Sequence, residues 1–290
     1  MIFIENFYSQ LNPIFLILIT PITGAFGVYL FKNFKFLSEL VVIVASSLLF
    51  YLLTNIYIAF NAGVNFEFYI IEVFPSIGIS FQVEPLGIIF ALLASFLWII
   101  NTIYSIGYMR ANSETNETRF YICFCIAIFS AIAIAFSANL LTFFLFYEIL
   151  TLSTYPLVTH AGSSNSRLAG RVYLIFLLGT SVSFFLLAII YFWQFTGTLE
   201  FTLGGSLPET IKPVELGILL FLFVFGIGKA AVMPFHFWLP AAMVAPTPVS
   251  ALLHAVAVVK AGVFGIIKII IYIFGVETLK LGYASELLPY

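Results

Sequence analysis

Long apolar stretches separated by short polar segments dominate the hydropathy pattern of this 290-residue chain. A helix needs about 20 apolar residues to cross ~30 Å of hydrocarbon, and barrel strands are shorter and alternate with a period of two. The pattern therefore predicts an all-α polytopic membrane protein with about eight transmembrane helices. The predicted spans are 14–31, 38–60, 86–108, 120–138, 139–159, 171–194, 215–233 and 249–274.

The polar segments between these spans predict short connections rather than separate soluble domains. Segment 61–85 alternates apolar and polar residues around Phe68, which predicts a small surface hairpin. Segment 196–213 is rich in Gly and Pro and predicts a loop. The polar stretch from Ser163 to Arg171 is expected to cap the sixth helix.

Composition agrees with a membrane protein and excludes several functions. Hydrophobic residues make up 62% of the chain and charged residues 8%, whereas soluble domains carry about 25% charged residues. Eleven Lys and Arg residues, with a net charge of −2, provide no basic surface for nucleic acid. Cys123 and Cys125 form a C-x-C pattern inside a span, which matches neither a disulfide framework nor a zinc motif. We expect no metal and no cofactor.

Basic residues are distributed unevenly between the two sets of loops. One set carries Lys32, Lys35, Arg110, Arg119, Arg167 and Arg171, and the other set carries mainly Glu, with Lys212 and Lys280 as its cations. Because cytoplasmic loops are enriched in Lys and Arg, the first set is predicted to be cytoplasmic. Both termini are then expected on the non-cytoplasmic side.

Four ionisable residues lie well inside the predicted spans, namely Glu148, Lys229, His254 and Lys260. A charge at the centre of a membrane helix costs at least ~2.5–3.5 kcal/mol, so such residues are candidates for function. The alternative for Glu148 is a structural ion pair that joins two helices. Lys268 lies nearer the end of the last span and is interpreted as an anchor at the membrane interface.

The seventh span is predicted to be broken around Lys229. Gly226 and Gly228 weaken the helix before this lysine, and Pro234 removes a backbone donor after it. An interrupted helix is tolerated in a membrane only where it lines a cavity or packs on protein, and broken helices often form the ion sites of transporters. The alternative is a straight helix from which Lys229 extends to the cytoplasmic interface.

His254 and Lys260 belong to the last span. In a regular α-helix their six-residue separation turns them by about 240°, so they occupy different faces. Both can still border one water chain, because a neutral imidazole relays protons and a lysine removed from water can release one. The alternative for His254 is a hydrogen-bonded residue without a role in transport.

Two stretches of this sequence resemble a known family. They are KAAVMPFHFWLPAAMVAPTPVSALLHAVAVVKAGVFG, beginning at Lys229, and ANLLTFFLFYEILTLSTYPLVTH, which contains Glu148. Both are similar to the antiporter-like L, M and N type subunits of respiratory complex I (chains 5 and 4 in mitochondria). They are also similar to the A and D subunits of Mrp-type sodium/proton antiporters and to membrane-bound hydrogenases. The resemblance covers roughly residues 75–275.

The resemblance implies a role for each buried ionisable residue. Glu148 matches the glutamate of the family's fifth helix, which pairs with the lysine at the break of the seventh helix, here Lys229. His254 and Lys260 match the residues that pass the proton towards the centre of the subunit. Ala241 replaces an aspartate that is usual in the family, so the role of that acid is missing here.

The resemblance also implies a domain organisation and a function. Residues 1–119 correspond to the first three helices, 120–275 to the first of the family's two inverted repeats, and 276–290 to a tail. Because the second repeat is missing, a truncated or split subunit is expected. The expected function is proton translocation, with Na⁺ as an alternative ion, in an inner-membrane complex with other subunits and lipid. The chain alone is not expected to be catalytic, although the whole complex could be an NADH:quinone oxidoreductase. The alternative function is a non-conducting scaffold.

Overall fold

The computed structural model describes residues 12–74, 77–208 and 211–279. These residues form eight helices of 14 residues or more and one antiparallel hairpin. The strands are β1 Glu67–Phe74 and β2 Ile77–Gln82. The helices are α1 Pro13–Leu30, α2 Lys35–Asn61, α3 Pro85–Ala111, α4 Glu117–Phe136, α5 Leu140–Val158, α6 Ser164–Thr196, α7 Pro213–Gly226 and α8 Thr247–Phe274.

The observed helices confirm the predicted class of fold. Within the described ranges, seven helices are long and apolar enough to cross a membrane, and α7 is a shorter apolar helix of 14 residues. The predicted seventh span continued to residue 233, whereas α7 ends at Gly226. The seventh helix is therefore broken, as predicted.

Local sequence signals explain where several helices begin. The side chains of Asn12, Asn139 and Ser163 each accept a hydrogen bond from a backbone N–H in the first turn of α1, α5 and α6. Proline occupies the first turn of α1, α3 and α7, where its missing N–H costs nothing. The predicted cap at Ser163 is thus confirmed.

Helix α4 forms the centre of the bundle and packs against α1, α3 and α5. Its second half alternates small and large apolar residues (AIAIAF, 131–136), all of which are buried. Small side chains allow neighbouring helices to approach closely in a membrane protein. Helix α4 therefore joins the early helices α1 and α3 to α5, which carries the first candidate site residue.

The hairpin is confirmed and covers one end of the bundle. Glu67 lies opposite Gln82 in the antiparallel register of β1 and β2. The Asn12 side-chain amide donates a hydrogen bond to the Glu67 carbonyl at 2.7 Å, and the Ser80 backbone N–H donates to the Thr142 hydroxyl at 3.1 Å. These contacts fix the hairpin to the starts of α1 and α5.

The basic residues of the first loop set lie at the opposite end of the bundle. Lys35 forms an ion pair with Glu117 at 2.7 Å, and Arg110 pairs with the buried Glu39. The two loop sets are thus separated as the sequence indicated, while the assignment of one end to the cytoplasm stays a prediction. The termini, 1–11 and 280–290, lie outside the described residues, and so does Lys280.

Segments of π-helix interrupt two of the long helices. They are Ser181–Phe185 in α6, and Leu252–Val256 and Ile270–Phe274 in α8. A π-turn inserts an extra residue into an α-helix and is frequent at functional sites. The regular α-helix assumed between His254 and Lys260 is therefore absent, because Leu252–Val256 is π-helical, and the rotation of about 240° does not follow from their spacing.

Candidate functional site at the helix break

The chain leaves the α-helical path directly after Gly226 and forms two short 3₁₀ turns. These are Gly228–Ala230 and Phe235–Phe237, followed by the five-residue helix Trp238–Ala242. Lys229 lies in the first turn, and its side chain is fully buried. The break thus places an ammonium group in the interior of the chain.

Side chains from neighbouring elements satisfy the backbone groups that the break leaves without helical partners. The Lys229 backbone N–H donates a hydrogen bond to the Tyr147 hydroxyl at 3.0 Å. The Trp238 indole N–H donates to the Gly228 carbonyl, also at 3.0 Å. Unpaired backbone groups are costly in an apolar interior, so Tyr147 and Trp238 stabilise this irregular conformation.

Two glycines allow α6 and α8 to pack directly on the break. A Cβ atom at Gly228 would lie 2.2 Å from the Thr180 hydroxyl oxygen, and one at Gly262 would lie 2.2 Å from the Ala230 nitrogen. Neither distance is compatible with a side chain. Glycine at these positions is therefore required by close packing, in addition to its weakening effect on the helix.

The Lys229 ammonium contacts α5 at three points. Its Nζ donates hydrogen bonds to the Tyr147 carbonyl at 2.8 Å and to the Thr151 hydroxyl at 2.6 Å. It also lies 3.1 Å from the centroid of the Tyr147 ring. Two acceptors and an aromatic face stabilise the charged form of this fully buried lysine.

Glu148 follows Tyr147 on α5 and is close enough for its charge to act on Lys229. Both carboxylate oxygens are buried and have no hydrogen-bond partner in the described part of the chain. Among the described residues no ion pair joins Glu148 to Lys229, because the ammonium is held by Tyr147 and Thr151 instead. The pairing of these two residues during function stays a prediction.

His254 and Lys260 lie outside the hydrogen-bonded cluster that holds Lys229. His254 lies in the π-helical segment of α8, half-buried, with its Nε2 atom buried and without a partner among the described residues. Lys260 is exposed on the surface of α8. In the described ranges neither residue forms a hydrogen bond or ion pair with Lys229 or Glu148, so any transfer between them requires water or a further rearrangement.

The interpretation of Lys268 as an interfacial anchor is wrong. Its side chain is fully buried, and its Nζ lies 2.8 Å from the Glu84 carboxylate and 2.6 Å from the Ser137 carbonyl, to which it donates a hydrogen bond. The apolar residues on both sides of Lys268 in the sequence are the one signal that could have indicated its burial. Glu84 falls in the predicted connection 61–85, and in the structure it directly precedes the first residue of α3.

His160 lies just beyond α5, at the end of the bundle that carries the basic residues. Its ring is almost completely buried, and its Nε2 lies 3.8 Å from the Glu114 carboxylate. Burial lowers the pKa of His160, and the nearby Arg119 lowers it further, while Glu114 acts in the opposite direction. Sequence analysis did not select this residue.

A family model covers the half of the chain that contains the helix break. The model described as "NADH:quinone oxidoreductase/Mrp antiporter, TM" matches residues 137–283. This range includes Glu148, Lys229, His254 and Lys260.

Similar sequences include two staphylococcal proteins named as antiporter subunit mnhA2. The protein from Staphylococcus haemolyticus (strain JCSC1435) is 29% identical over 194 residues, which are 66% of this chain and 24% of that protein. The protein from Staphylococcus aureus (strain USA300 / TCH1516) is 31% identical over 194 residues, with the same coverage of 66% and 24%. This chain therefore spans about a quarter of the length of these relatives.

Two solved membrane complexes contain chains of the same fold. A chain of the membrane-bound sulfane sulfur reductase, an archaeal respiratory membrane complex, aligns with a TM-score of 0.75 and 22% identity, over 88% of this chain and 52% of that chain. A chain of the Mrp complex from Dietzia sp. DQ12-45-1b aligns with a TM-score of 0.75 and 23% identity, over 87% and 27%. At these identities the likeness concerns the fold.

Proposed function

Because this chain belongs to the NADH:quinone oxidoreductase/Mrp antiporter transmembrane family, we propose that it translocates protons within a multisubunit membrane complex. The proposed path includes Glu148, Lys229, His254 and Lys260. The observation that carries the proposal is the buried Lys229 ammonium at a helix break, near the Glu148 carboxylate, which has no hydrogen-bond partner among the described residues.

The environment of Lys229 suggests how its proton is held and released. A negative Glu148 favours the ammonium form of Lys229, and neutralising Glu148 removes that stabilisation in an interior that disfavours charge. The proton can then leave Lys229 for water, with the Tyr147 carbonyl and the Thr151 hydroxyl keeping the amine in place. Nothing in this step requires a redox centre, so the driving energy comes from attached subunits or from an ion gradient.

The exposed Lys260 supports a place inside a larger assembly. A charged residue in the middle of a membrane helix is unfavourable against lipid and almost always faces protein or a water-filled cavity. The surface of α8 around Lys260 is therefore proposed to be covered by other membrane helices of the complex. We place the complex in a cell inner membrane, with the basic loops on the cytoplasmic side.

The second candidate function is a non-conducting scaffold. It is favoured by the exposed position of Lys260 and by the lack of a hydrogen bond linking Lys260 to Lys229 among the described residues. A scaffold, however, gains nothing from a buried glutamate without a partner. A separate alternative concerns the transported ion: the chain would exchange Na⁺ for H⁺ along the same path.

Proton flux in proteoliposomes distinguishes these functions. The chain is purified with its co-purifying subunits, reconstituted, and driven by a potassium–valinomycin potential while a lumenal dye reports pH. We expect Lys229→Ala to abolish the flux and Lys32→Ala, which removes an exposed lysine, to leave it unchanged. Equal flux from wild type and Lys229→Ala would favour the scaffold.

A further inference from the structure

Two buried charges outside the proposed path lie close together at the hairpin end of the bundle. The Nζ atom of Lys268 on α8 lies 2.8 Å from Oε2 of Glu84, and the two side chains are 0% and 8% exposed. The ammonium also donates a hydrogen bond to the Ser137 carbonyl at 2.6 Å and lies 4.4 Å from the centroid of the Phe201 ring. This is a closer contact between opposite charges than any that Lys229 makes.

A polar cleft lies at the same hairpin end of the bundle. It has a volume of about 440 Å³ and is lined by residues of the hairpin, which include Gln82, and by Ala138 and Glu200. Gln82 is two residues from Glu84, and Ala138 follows Ser137, the residue that holds Lys268. The cleft is thus lined by residues that neighbour, along the chain, the segments carrying Glu84 and Ser137.

Helix α8 connects the pair to the helix break. Lys268 lies six residues beyond Gly262, whose Cα packs against Lys229 and Ala230, and this separation corresponds to ~9 Å along an α-helix. Between them, Gly265 faces Phe143 and Ile227. Because these side chains are apolar, a proton can cross this stretch only when water enters it.

We propose that Glu84 and Lys268 form a second proton-exchange site, through which protons pass between the Lys229 region and the cleft at the hairpin end. This inference rests on the proposed function, since it extends the same path to the surface of the molecule. The site supplies an exit or entry on the side opposite to the basic loops. It also explains why two costly charges are kept in a dry position.

The proposed step conserves protons and charge. An N–H bond of the Lys268 ammonium breaks and an O–H bond forms on the Glu84 carboxylate, which leaves a neutral amine and a carboxylic acid. The acid then releases its proton to water of the cleft. An N–H bond of the Lys229 ammonium breaks, its proton is relayed along entering water to the Lys268 amine, and Lys229 stays neutral until its own proton is replaced. After one cycle Glu84 and Lys268 have regained their charges, and one proton has crossed.

A purely structural ion pair is the competing explanation, and it makes a different prediction for a double replacement. Removing one partner of a buried pair leaves an uncompensated charge, whereas replacing both partners by neutral residues of similar volume is often tolerated. If the pair is only structural, the double variant Glu84→Gln/Lys268→Met is expected to regain the folding stability that each single variant loses. The same double variant cannot exchange protons at this position.

The test measures proton flux in the reconstituted complex, normalised to the amount of folded chain, for both single variants and the double variant. We expect each single variant and the double variant to reduce the flux at least tenfold, while the double variant regains the wild-type melting temperature. Flux within twofold of wild type in the double variant would overturn the proposal.

Two further variants keep the test decisive. Lys268→Arg preserves the ion pair but not proton release, because arginine stays protonated in proteins. We expect at least a tenfold loss of flux, and full flux in Lys268→Arg would overturn the proposal even if the double variant did not fold. Lys229→Ala serves as the reference variant. If Lys229→Ala conducts normally, the proposed function itself fails. If Lys229→Ala is inactive while the Glu84 and Lys268 variants conduct normally, only the second site is refuted.

Discussion

Tyr147 contributes to the position of Lys229 in three ways. Its hydroxyl accepts the lysine backbone N–H, its carbonyl accepts the ammonium, and its ring lies beneath the ammonium. One residue of α5 therefore holds both the backbone and the side chain of the break. Glu148, the next residue along, is placed so that a change in its charge acts on an ammonium already fixed in position.

The Thr151 hydroxyl is the only side-chain hydrogen-bond acceptor found for the Lys229 ammonium among the described residues. Thr151→Val keeps the shape of the side chain and removes this acceptor, so about 1–3 kcal/mol of stabilisation of the charged lysine should be lost. We expect proton flux to fall several-fold, as measured with the lumenal pH dye. Thr159→Val is the matched control, because the Thr159 hydroxyl bonds only to its own helix backbone. Equal flux in both variants would show that this acceptor is dispensable.

His160 should make the stability of the chain depend on pH. Burial lowers its pKa in the folded protein below the ordinary value, so the unfolded chain binds the proton more tightly. The contribution of neutral His160 to the free energy of unfolding is therefore complete above about pH 6.5. It is lost as the pH falls through the lower pKa of the folded state. We expect the melting temperature in detergent to decrease over this window, and less so in His160→Gln. An identical pH slope in the variant would contradict this assignment.

At the scale of the elements, the close approach of α8 to the break should depend on Gly262. Gly262→Ala would place a Cβ atom 2.2 Å from the Ala230 nitrogen, a backbone atom that cannot move away. We expect a loss of several kcal/mol, comparable to severe overpacking, or failure to fold. Gly217→Ala is the control on α7, since nothing lies within 4 Å of its added Cβ. Equal melting temperatures for the two variants would refute the packing argument.

The sequence was sufficient to predict the helices, the hairpin and the break. Hydrophobic length determines the spans, and Gly226, Gly228 and Pro234 disfavour a continuous seventh helix. The π-helical segments of α6 and α8 were not predicted, because they depend on how neighbouring helices pack. The direction in which the His254 side chain leaves α8 could not be predicted for the same reason, because His254 lies in one of these π-helical segments.

The pairing of side chains across the bundle could not be obtained from spacing. Glu84 and Lys268 are far apart in the sequence, and each has an ordinary explanation when considered alone, as a loop acid and an interfacial lysine. Only the packing of α3 against α8 brings them within 2.8 Å. Similarly, Lys229 contacts Tyr147 and Thr151 because the broken α7 lies against α5.

At the scale of the whole molecule, charge is segregated in a way that suits vectorial transport. The basic loops and His160 lie at one end, the acidic cleft lies at the other, and the buried lysines Lys229 and Lys268 lie between them. Exposed apolar side chains cover much of the remaining surface, which is compatible with lipid or with helices of other subunits. Lys260 marks the part of that surface least compatible with lipid.

The central claim is that Lys229 is buried because it exchanges protons, and Lys229→Arg tests it most directly. Arginine keeps a positive charge for Glu148 but does not release its proton in proteins. The measurement is proton flux in reconstituted complexes, normalised to folded chain and compared with wild type. We predict that Lys229→Arg is as inactive as Lys229→Ala. Wild-type flux from Lys229→Arg would contradict the account, because the position would then need only a charge.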